Sequence, residues 1–308
     1  MAKGFFTDTT LCIGCKACEV ACKQWNQLPA DSYRLSGMSY DNTVALGATT
    51  WRHVAFIEQF DGDGRYLGTD EMGDDWGEAR GDVGAGAKAG ASAIGERMAR
   101  GPAGATDVVD DVTGGFLGAN RWLMMSDVCK HCTNAGCLEA CPTGAIIRNE
   151  FGDVYVQPDI CNGCGYCVWA CPFGVISINE DDGRAWKCTL CYDRQRDGLV
   201  PACAKACPTQ SIQFGEVEEL RQRAAERVGA LHARGITSAY LYGADEHTSV
   251  GNLNAFFLLA DEPQVYNLPE KPHVPQAQVI PAYVATVLTG IVLGVATLLS
   301  LGRGRERR

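Results

Sequence analysis

Apolar and polar positions alternate in short runs along much of the chain, and few stretches have the period of a long helix. Residues 51–60 alternate well enough to predict a strand. Two short β-type runs on either side of Gly152 predict a hairpin. In residues 216–234 apolar side chains recur at steps of three and four, which predicts an amphipathic helix that Gly235 would end. The pattern indicates a mixed α+β protein.

The longest apolar run lies near the C-terminus. Val279–Gly302 contains 24 residues and no charge. As a helix rising about 1.5 Å per residue it would span roughly 36 Å, against about 30 Å for the hydrocarbon core of a bilayer. We predict a transmembrane helix here, in preference to a buried core helix. The preceding residues 263–281 are rich in proline and predict an extended, semi-rigid linker.

The charges that flank this run predict its orientation. Four arginines follow within residues 303–308, whereas the nearest cation on the other side is Lys271. The positive-inside rule then places the C-terminus in the cytoplasm and the rest of the chain outside. No apolar signal core follows Met1, so we expect the chain to cross the membrane folded, carried by a partner that has its own signal.

A second compositional shift lies between Asp61 and Gly118, where glycine, alanine and aspartate dominate. The part from Gly81 to Gly104 has almost no large apolar residue. Such a segment cannot bury enough surface to order itself. We therefore predict a flexible insert over residues 61–118.

Cysteine carries the strongest chemical signal, because all sixteen cysteines fall into four groups of four. Thiolates suit iron–sulfur clusters and zinc. The first and third groups have the C-x2-C-x2-C-x3-C spacing that holds [4Fe–4S] clusters in bacterial ferredoxins. The groups are Cys12, Cys15, Cys18 and Cys22; Cys129, Cys132, Cys137 and Cys141; Cys161, Cys164, Cys167 and Cys171; and Cys188, Cys191, Cys203 and Cys207. No cysteine is left over, which predicts four [4Fe–4S] clusters.

Disulfides and zinc are the alternative uses of these cysteines. A disulfide scaffold needs an oxidising compartment, and the missing signal core disfavours it. Zinc binds C-x2-C pairs, but its sites rarely place four cysteines in one eleven-residue run. Proline directly follows the last cysteine of three groups, as in the ferredoxin pattern.

The ferredoxin pattern also predicts which cysteines share a cluster, because the fourth cysteine of a run binds the other cluster of the pair. The second and third groups are close in sequence, so we pair them, and the first and fourth groups then pair with each other. The predicted ligand sets are Cys12, Cys15, Cys18 and Cys207; Cys22, Cys188, Cys191 and Cys203; Cys129, Cys132, Cys137 and Cys171; and Cys141, Cys161, Cys164 and Cys167.

The remaining residues predict no chemistry of their own. The net charge of −10 argues against nucleic acid as a partner, and the chain has no dinucleotide fingerprint and no P-loop. None of the five histidines lies in the apolar run, and His131 is expected to be packed beside its cluster. Four lysines lie beside or between ligands and would either favour cluster reduction or be ordinary solvated residues; they are Lys16, Lys130, Lys187 and Lys205.

Several motifs are longer than the cysteine spacing alone. Residues 12–26 read CIGCKACEVACKQWN, and residues 188–194 read CTLCYDR, continuing to PACAKACPT at 201–209. These motifs resemble the iron–sulfur (β) subunit of membrane-bound respiratory formate dehydrogenase, and residues 225–235 and 259–269 resemble that subunit's C-terminal region. The resemblance implies a non-catalytic electron-transfer subunit. Its partners would be a catalytic subunit that holds molybdenum or tungsten on a pterin, and a membrane cytochrome b that reduces quinone.

We therefore expect an α+β fold with two ferredoxin-like two-cluster domains, a glycine/alanine-rich insert and one C-terminal transmembrane helix. Related alternatives are the β subunit of a polysulfide or dimethyl sulfoxide reductase, or of a hydrogenase; an unrelated one is a membrane-anchored zinc module. The expected divisions are an outer domain from 1–60 and 180–215, the insert 61–118, an inner domain 119–179, a C-terminal extension and linker 216–275, the helix 279–302 and the basic tail 303–308.

Overall fold

The computed structural model describes residues 2–31, 40–41, 43–59, 121–244 and 248–305. The predicted insert 61–118 and residues 306–308 of the basic tail lie outside these ranges. The strands are β1 (Lys3–Asp8), β2 (Arg52–Gln59), β3 (Arg121–Val128), β4 (Ile146–Arg148), β5 (Val154–Val156), β6 (Ser177–Ile178), β7 (Ala185–Trp186), β8 (Ile212–Glu216), β9 (Tyr240–Tyr242) and β10 (Ala255–Leu259). The α-helices are α1 (Ala17–Asn26), α2 (Gly136–Glu139), α3 (Tyr166–Trp169), α4 (Tyr192–Arg196), α5 (Ala202–Ala206), α6 (Val217–Ala233) and α7 (Val279–Arg305).

A four-stranded sheet of order β8-β1-β10-β9 joins the two ends of the cysteine-bearing sequence. Strand β1 pairs antiparallel with β8 and parallel with β10. Gly4 is required at the start of β1, because a Cβ there would lie 1.8 Å from the backbone oxygen of Asn254. The sheet therefore holds the first cysteine group close to the fourth.

Helix α6 covers one face of this sheet and confirms the predicted amphipathic helix. Its buried side chains include Leu220, Ala224 and Leu231, which share a core with Phe6 and Phe256. The helix ends as predicted, because Gly235 adopts a φ of 87° and its N–H donates to the carbonyl oxygen of His232.

Three two-stranded ladders surround the sheet. The predicted strand at residues 51–60 is confirmed as β2, which pairs antiparallel with β3 along its whole length. The predicted hairpin around Gly152 is confirmed as β4 and β5. The third ladder is formed by β6 and β7.

The proline-rich segment differs from the extended linker that its composition predicts. Two short 3-10 turns interrupt it, Pro263–Tyr266 and Pro275–Gln278. Four of its apolar side chains are buried against the core, which gives the segment a fixed path; they are Val265, Tyr266, Leu268 and Val274. Burial of these side chains outweighs the tendency of proline to keep the chain extended.

Helix α7 runs from Val279 to Arg305. The segment Pro275–Thr297 has a mean hydropathy of 2.1 and none of it is buried against the rest of the chain. By length and composition it is able to cross a membrane.

Candidate metal centres

All sixteen cysteines lie within the described ranges, and none forms a disulfide there. The backbone bends sharply around them. Gly14 and Gly163, which occupy the same position in the first and third groups, have φ of 64° and 73°. A Cβ on Gly163 would also lie 2.1 Å from the carbonyl oxygen of Gly183. These left-handed positions turn the chain between the first two cysteines of each run, and the third cysteine lies in the helix that follows.

The first thiol set lines one small cavity. Cys12, Cys15 and Cys18 reach it from the N-terminal loop and Cys207 reaches it from the fourth group. Burial raises the pKa of Cys12, and the charges of Cys207 and Cys15 raise it further. The cavity thus gathers the four thiols predicted to share a ligand set.

The second thiol set is built around Cys22. Burial raises the pKa of Cys22, and its charged neighbours Cys203, Cys188 and Cys191 act in the same direction. Burial also raises the pKa of Cys191 to about 12, and the charge of Cys203, the next largest cause, raises it further.

In the third and fourth sets, too, the thiols of one predicted set raise each other's pKa. Burial raises the pKa of Cys132 well above its usual value, and the thiols that add to this effect are Cys129, Cys171 and Cys137. Burial raises the pKa of Cys167 to about 11, and the thiols that add to this effect are Cys161, Cys141 and Cys164.

Four groupings of thiols therefore fit a cofactor that supplies positive charge. Buried thiols stay protonated on their own, because burial and the repulsion between neighbouring thiolates both disfavour ionisation, whereas coordination to a metal ionises a thiol outright. Within the ranges described, no three histidine, cysteine, aspartate or glutamate side chains converge closely enough to hold a single metal ion. The neighbours support the crossed ligand sets, which stay a prediction.

Thiols of different sets also lie close enough to affect each other's pKa. Besides burial, the charge of Cys203 raises the pKa of Cys18, which joins the second set to the first. After burial, Cys129 has the largest effect on the pKa of Cys188, which joins the third set to the second. Burial raises the pKa of Cys137, and Cys167 adds to it, which joins the fourth set to the third.

Two of the four lysines singled out in the sequence are buried, and one is solvated. Lys130 donates to Asp127 and to the backbone oxygen of Val128 at 2.9 Å. Lys187 donates to the backbone oxygens of Val154 and Cys188. Lys205 is exposed.

The buried Lys187 lies near two thiol sets. Against the effect of burial, the charges of Cys129, Cys137 and Cys188 raise its pKa. It therefore remains a cation at the boundary of the second and third sets. Lys16 takes a different role, since its ammonium lies 3.6 Å from carboxylate oxygens of Glu19 and Asp41.

Arg52 is a fully buried cation that the sequence pattern does not reveal. Its Nη2 lies 3.3 Å from Sγ of Cys203. The only sequence signal is an arginine at the first position of a strand that is otherwise mostly apolar, and this does not indicate which thiol it would contact.

Polar side chains connect the hairpin β4–β5 to helix α4. Gln195 donates to Oδ2 of Asp153 at 2.7 Å, and burial raises the pKa of Asp153 to about 6. His131 accepts the backbone N–H of Val154 at Nδ1 (3.1 Å), and burial lowers its pKa well below the usual value. His131 is thus a packed, neutral histidine, as the sequence predicts.

Two family models match the sequence, and both are described as a 4Fe-4S dicluster domain. One matches residues 11–145 and the other residues 120–217. Together they cover all four cysteine groups.

Curated relatives match almost the whole sequence. The formate dehydrogenase iron-sulfur subunit of Haemophilus influenzae is 34% identical over 97% of this chain and 80% of its own length. The nitrate-inducible formate dehydrogenase iron-sulfur subunit of Escherichia coli is also 34% identical, over 87% of this chain and 72% of its own length. The B subunit of the anaerobic dimethyl sulfoxide reductase of Escherichia coli is 29% identical over 71% of this chain and 76% of its own length.

Proposed function

This protein belongs to the family of formate dehydrogenase iron–sulfur subunits, and we propose that it carries electrons from a formate-oxidising catalytic subunit to an acceptor in the membrane. The similarity over 97% of the chain is the observation that carries this proposal, since it extends well beyond the cysteine motifs. The chain itself is an electron-transfer subunit and not the catalytic one.

We propose that each of the four thiol sets holds one [4Fe–4S] cluster. Such a cluster, when bound, takes up and releases one electron at a time. The polypeptide holds the sixteen thiols in four neighbouring sets; seven of the thiols are buried, and two, Cys15 and Cys164, are exposed. Backbone donors also reach the sulfurs, as where Leu190 N lies 3.3 Å from Sγ of Cys188 and Ala185 N lies 3.4 Å from Sγ of Cys161.

The proposed electron donor is a catalytic subunit that holds molybdenum or tungsten on a pterin. The proposed acceptor is the haem of a membrane cytochrome b, which would pass electrons to quinone. Helix α7 contains no histidine, so any axial histidine for that haem would come from another protein. The names of the two relatives at 34% identity support a formate-oxidising donor, because both are subunits of a formate dehydrogenase.

Helix α7 is the proposed membrane anchor. Its large apolar side chains between Val279 and Val295 lie exposed to the surroundings, as expected for a surface that contacts lipid. The arginines at 303, 305, 307 and 308 favour a cytoplasmic C-terminus and therefore an outer location for the thiol sets. In spheroplasts, an external protease should then digest the body of the protein and spare a C-terminal tag. Digestion of the tag with protection of the body would reverse the orientation.

The direct test is to purify the complex anaerobically from membranes through a tag on this subunit. For each copy of this subunit we expect at least about sixteen irons and sixteen acid-labile sulfides, four of each for every [4Fe–4S] cluster, with the haem iron of the cytochrome in addition. Formate should reduce the clusters. A deletion of residues 279–308 should release this subunit and the catalytic subunit from membranes, while formate still reduces a soluble dye. A colourless, iron-free protein would contradict the proposal.

A second candidate function is electron transfer within a dimethyl sulfoxide reductase, which the similarity to the B subunit of that enzyme, at 29% identity, supports. That relation covers 71% of the chain, against 97% for the formate dehydrogenase subunit. Reoxidation of the reduced clusters by dimethyl sulfoxide, with no reduction by formate, would favour this second candidate.

A further inference from the structure

Arg52 is a buried cation that lies between the first and second thiol sets. Only 1% of its surface is exposed, and its guanidinium lies 4.7 Å from the centre of the Phe5 ring. A buried charge without a partner is strongly unfavourable. The groups that balance this charge therefore indicate what the residue does.

Sulfur takes the place of a carboxylate as the partner of Arg52. Within the described ranges, no aspartate or glutamate forms an ion pair with it. Its Nη2–H instead donates to Sγ of Cys203 at 3.3 Å. Its Nε–H has no hydrogen-bond partner among the described residues, which leaves one more buried donor next to the thiols.

The Nη1 atom of Arg52 is linked to Cys18 through the side chain of Ser126. Nη1 donates to the backbone oxygen of Ser126 at 3.1 Å and to its Oγ at 3.4 Å. The Oγ of Ser126 lies 3.2 Å from Sγ of Cys18. Because arginine only donates, Oγ accepts from Arg52, and the hydroxyl hydrogen is free to point to the sulfur of Cys18.

We propose that Arg52 raises the reduction potentials of both outer clusters, directly through Cys203 and through Ser126 for the cluster that includes Cys18. The inference rests on the proposed function, because it requires a cluster at each set. Reduction adds one electron, and a fixed cation in a low-dielectric interior stabilises the added negative charge. Hydrogen bonds to the ligating sulfurs act in the same direction.

Burial is what separates Arg52 from Lys205, an exposed cation in the same part of the molecule. Lys205 lies between Cys203 and Cys207, but its side chain is exposed and solvent screens its charge. Neutralising Arg52 and neutralising Lys205 change the net charge of the protein by the same amount. Of these two cations, only the buried guanidinium donates to a thiol sulfur.

The test is a redox titration followed by paramagnetic resonance on the purified membrane complex. In Arg52→Gln, which is neutral but still able to donate, the reduction equilibria of two clusters should fall at least tenfold, equivalent to about 59 mV for a one-electron couple. In Ser126→Ala the fall should be smaller and confined to one cluster. The matched control Lys205→Gln should leave all potentials unchanged.

The outcomes distinguish this inference from the proposed function. An Arg52→Gln complex with its full iron content and unchanged potentials would overturn the role of Arg52 alone. Where Arg52→Gln does not assemble its clusters, Ser126→Ala decides: an unchanged potential of the cluster that includes Cys18 would overturn the inference. The charge-retaining Arg52→Lys should keep both potentials close to those of the wild type, and a fall as large as a neutral variant should give would also overturn it. A wild-type complex without iron–sulfur signals would overturn the inference and the proposed function together.

Discussion

The inner and outer pairs of thiol sets reach similar groupings by different means. The inner pair comes from one stretch, Cys129–Cys171, which folds with short ladders and an apolar cluster that includes Ile146, Val154 and Ile176. The outer pair combines Cys12–Cys22 with Cys188–Cys207, which are far apart in sequence. Strand β1 between β8 and β10 brings these two segments together.

Both pairs have buried charges beside them, and those beside the outer pair connect segments that are far apart in sequence. The outer pair contains Arg52 and Glu19, and the carboxylate of Glu19 accepts the backbone N–H of Val54. In the fourth set, burial alone would raise the pKa of Cys141, but hydrogen bonds from Thr143 and from backbone N–H groups lower it. Distant segments thus need specific polar contacts to fix their relative position, whereas a local loop is fixed by its own turns.

The largest expected effect comes from a ligand that crosses between segments. Cys22→Ser should remove the cluster that we assign to Cys188, Cys191 and Cys203, which is about four of sixteen irons. It should leave the cluster of its neighbours Cys12 and Cys15. Iron analysis and paramagnetic resonance of the reduced complex measure both outcomes.

The matched change in the inner pair is Cys141→Ser, which should remove the cluster assigned to Cys161, Cys164 and Cys167. Loss of the signal from the Cys12 set in Cys22→Ser, with the Cys188 set intact, would contradict the crossed assignment. Equal loss of all four clusters in either variant would show that the pairs do not assemble independently.

The next effect concerns the sheet that joins the outer segments. Gly4→Ala places a methyl group on the backbone oxygen of Asn254, and such overpacking typically costs about 1–3 kcal/mol. We expect the outer clusters to be lost at a lower temperature than the inner ones. Thermal loss of the visible absorption, followed by paramagnetic resonance of the partly heated sample, measures this order.

The control is Gly229→Ala in helix α6, where an added Cβ meets open space. A helical glycine costs about 0.8–1.0 kcal/mol relative to alanine, so this variant should be slightly more stable. An unchanged stability of Gly4→Ala would mean that β1 is free to shift away from β10.

The local features were well predicted from the sequence, because spacing and periodicity are local signals. The strand at 51–60, the hairpin around Gly152 and the helix at 216–234 depend on neighbours in sequence, and all three are present. The presence of two dicluster domains was likewise readable from the cysteine spacing. Local patterns therefore account for these three elements, of which only the hairpin belongs to the inner pair.

The features that sequence patterns did not predict are those that depend on distant residues. The burial of Val265 and Tyr266 follows from packing against the core, whereas the proline count alone predicts a linker. Arg52 is ordinary within its strand, and it becomes informative only when Cys203, which is 151 residues away, lies against it. Periodicity carries no information about such contacts.

A third, smaller effect lies at Asp153, where the inner hairpin meets helix α4. Its pKa is about 6 in the folded chain because of burial, against about 3.9 for an unfolded aspartate. Between about pH 4 and pH 6 the folded state therefore holds a proton that the unfolded state lacks, so stability falls as the pH rises through this window. Above about pH 6 the buried carboxylate is ionised and its penalty is complete.

Asp153→Asn should remove this penalty, since the amide oxygen can still accept from Asn149 and Gln195. At about pH 7.5 the variant should unfold at a temperature a few degrees above the wild type, and the difference should shrink towards about pH 5. Thermal unfolding of the anaerobic complex at both pH values provides the measurement. A difference that stays the same at both pH values would contradict the assigned titration.

The smallest expected effect comes from removing an exposed charge, which tests whether a charge affects the clusters without being buried. Arg184 and Asp159 lie 4.0 Å apart beside the inner pair, with 41% and 99% of their side chains exposed. Exposed pairs of this kind contribute little, because solvent screens them and their side chains lose entropy on pairing. Arg184→Gln should therefore leave the unfolding temperature and all cluster potentials unchanged, although it removes the same charge as Arg52→Gln. If Arg184→Gln instead shifts the potential of an inner cluster as much as Arg52→Gln shifts those of the outer clusters, then long-range charge controls the clusters. The contrast between the two pairs would then no longer depend on buried contacts.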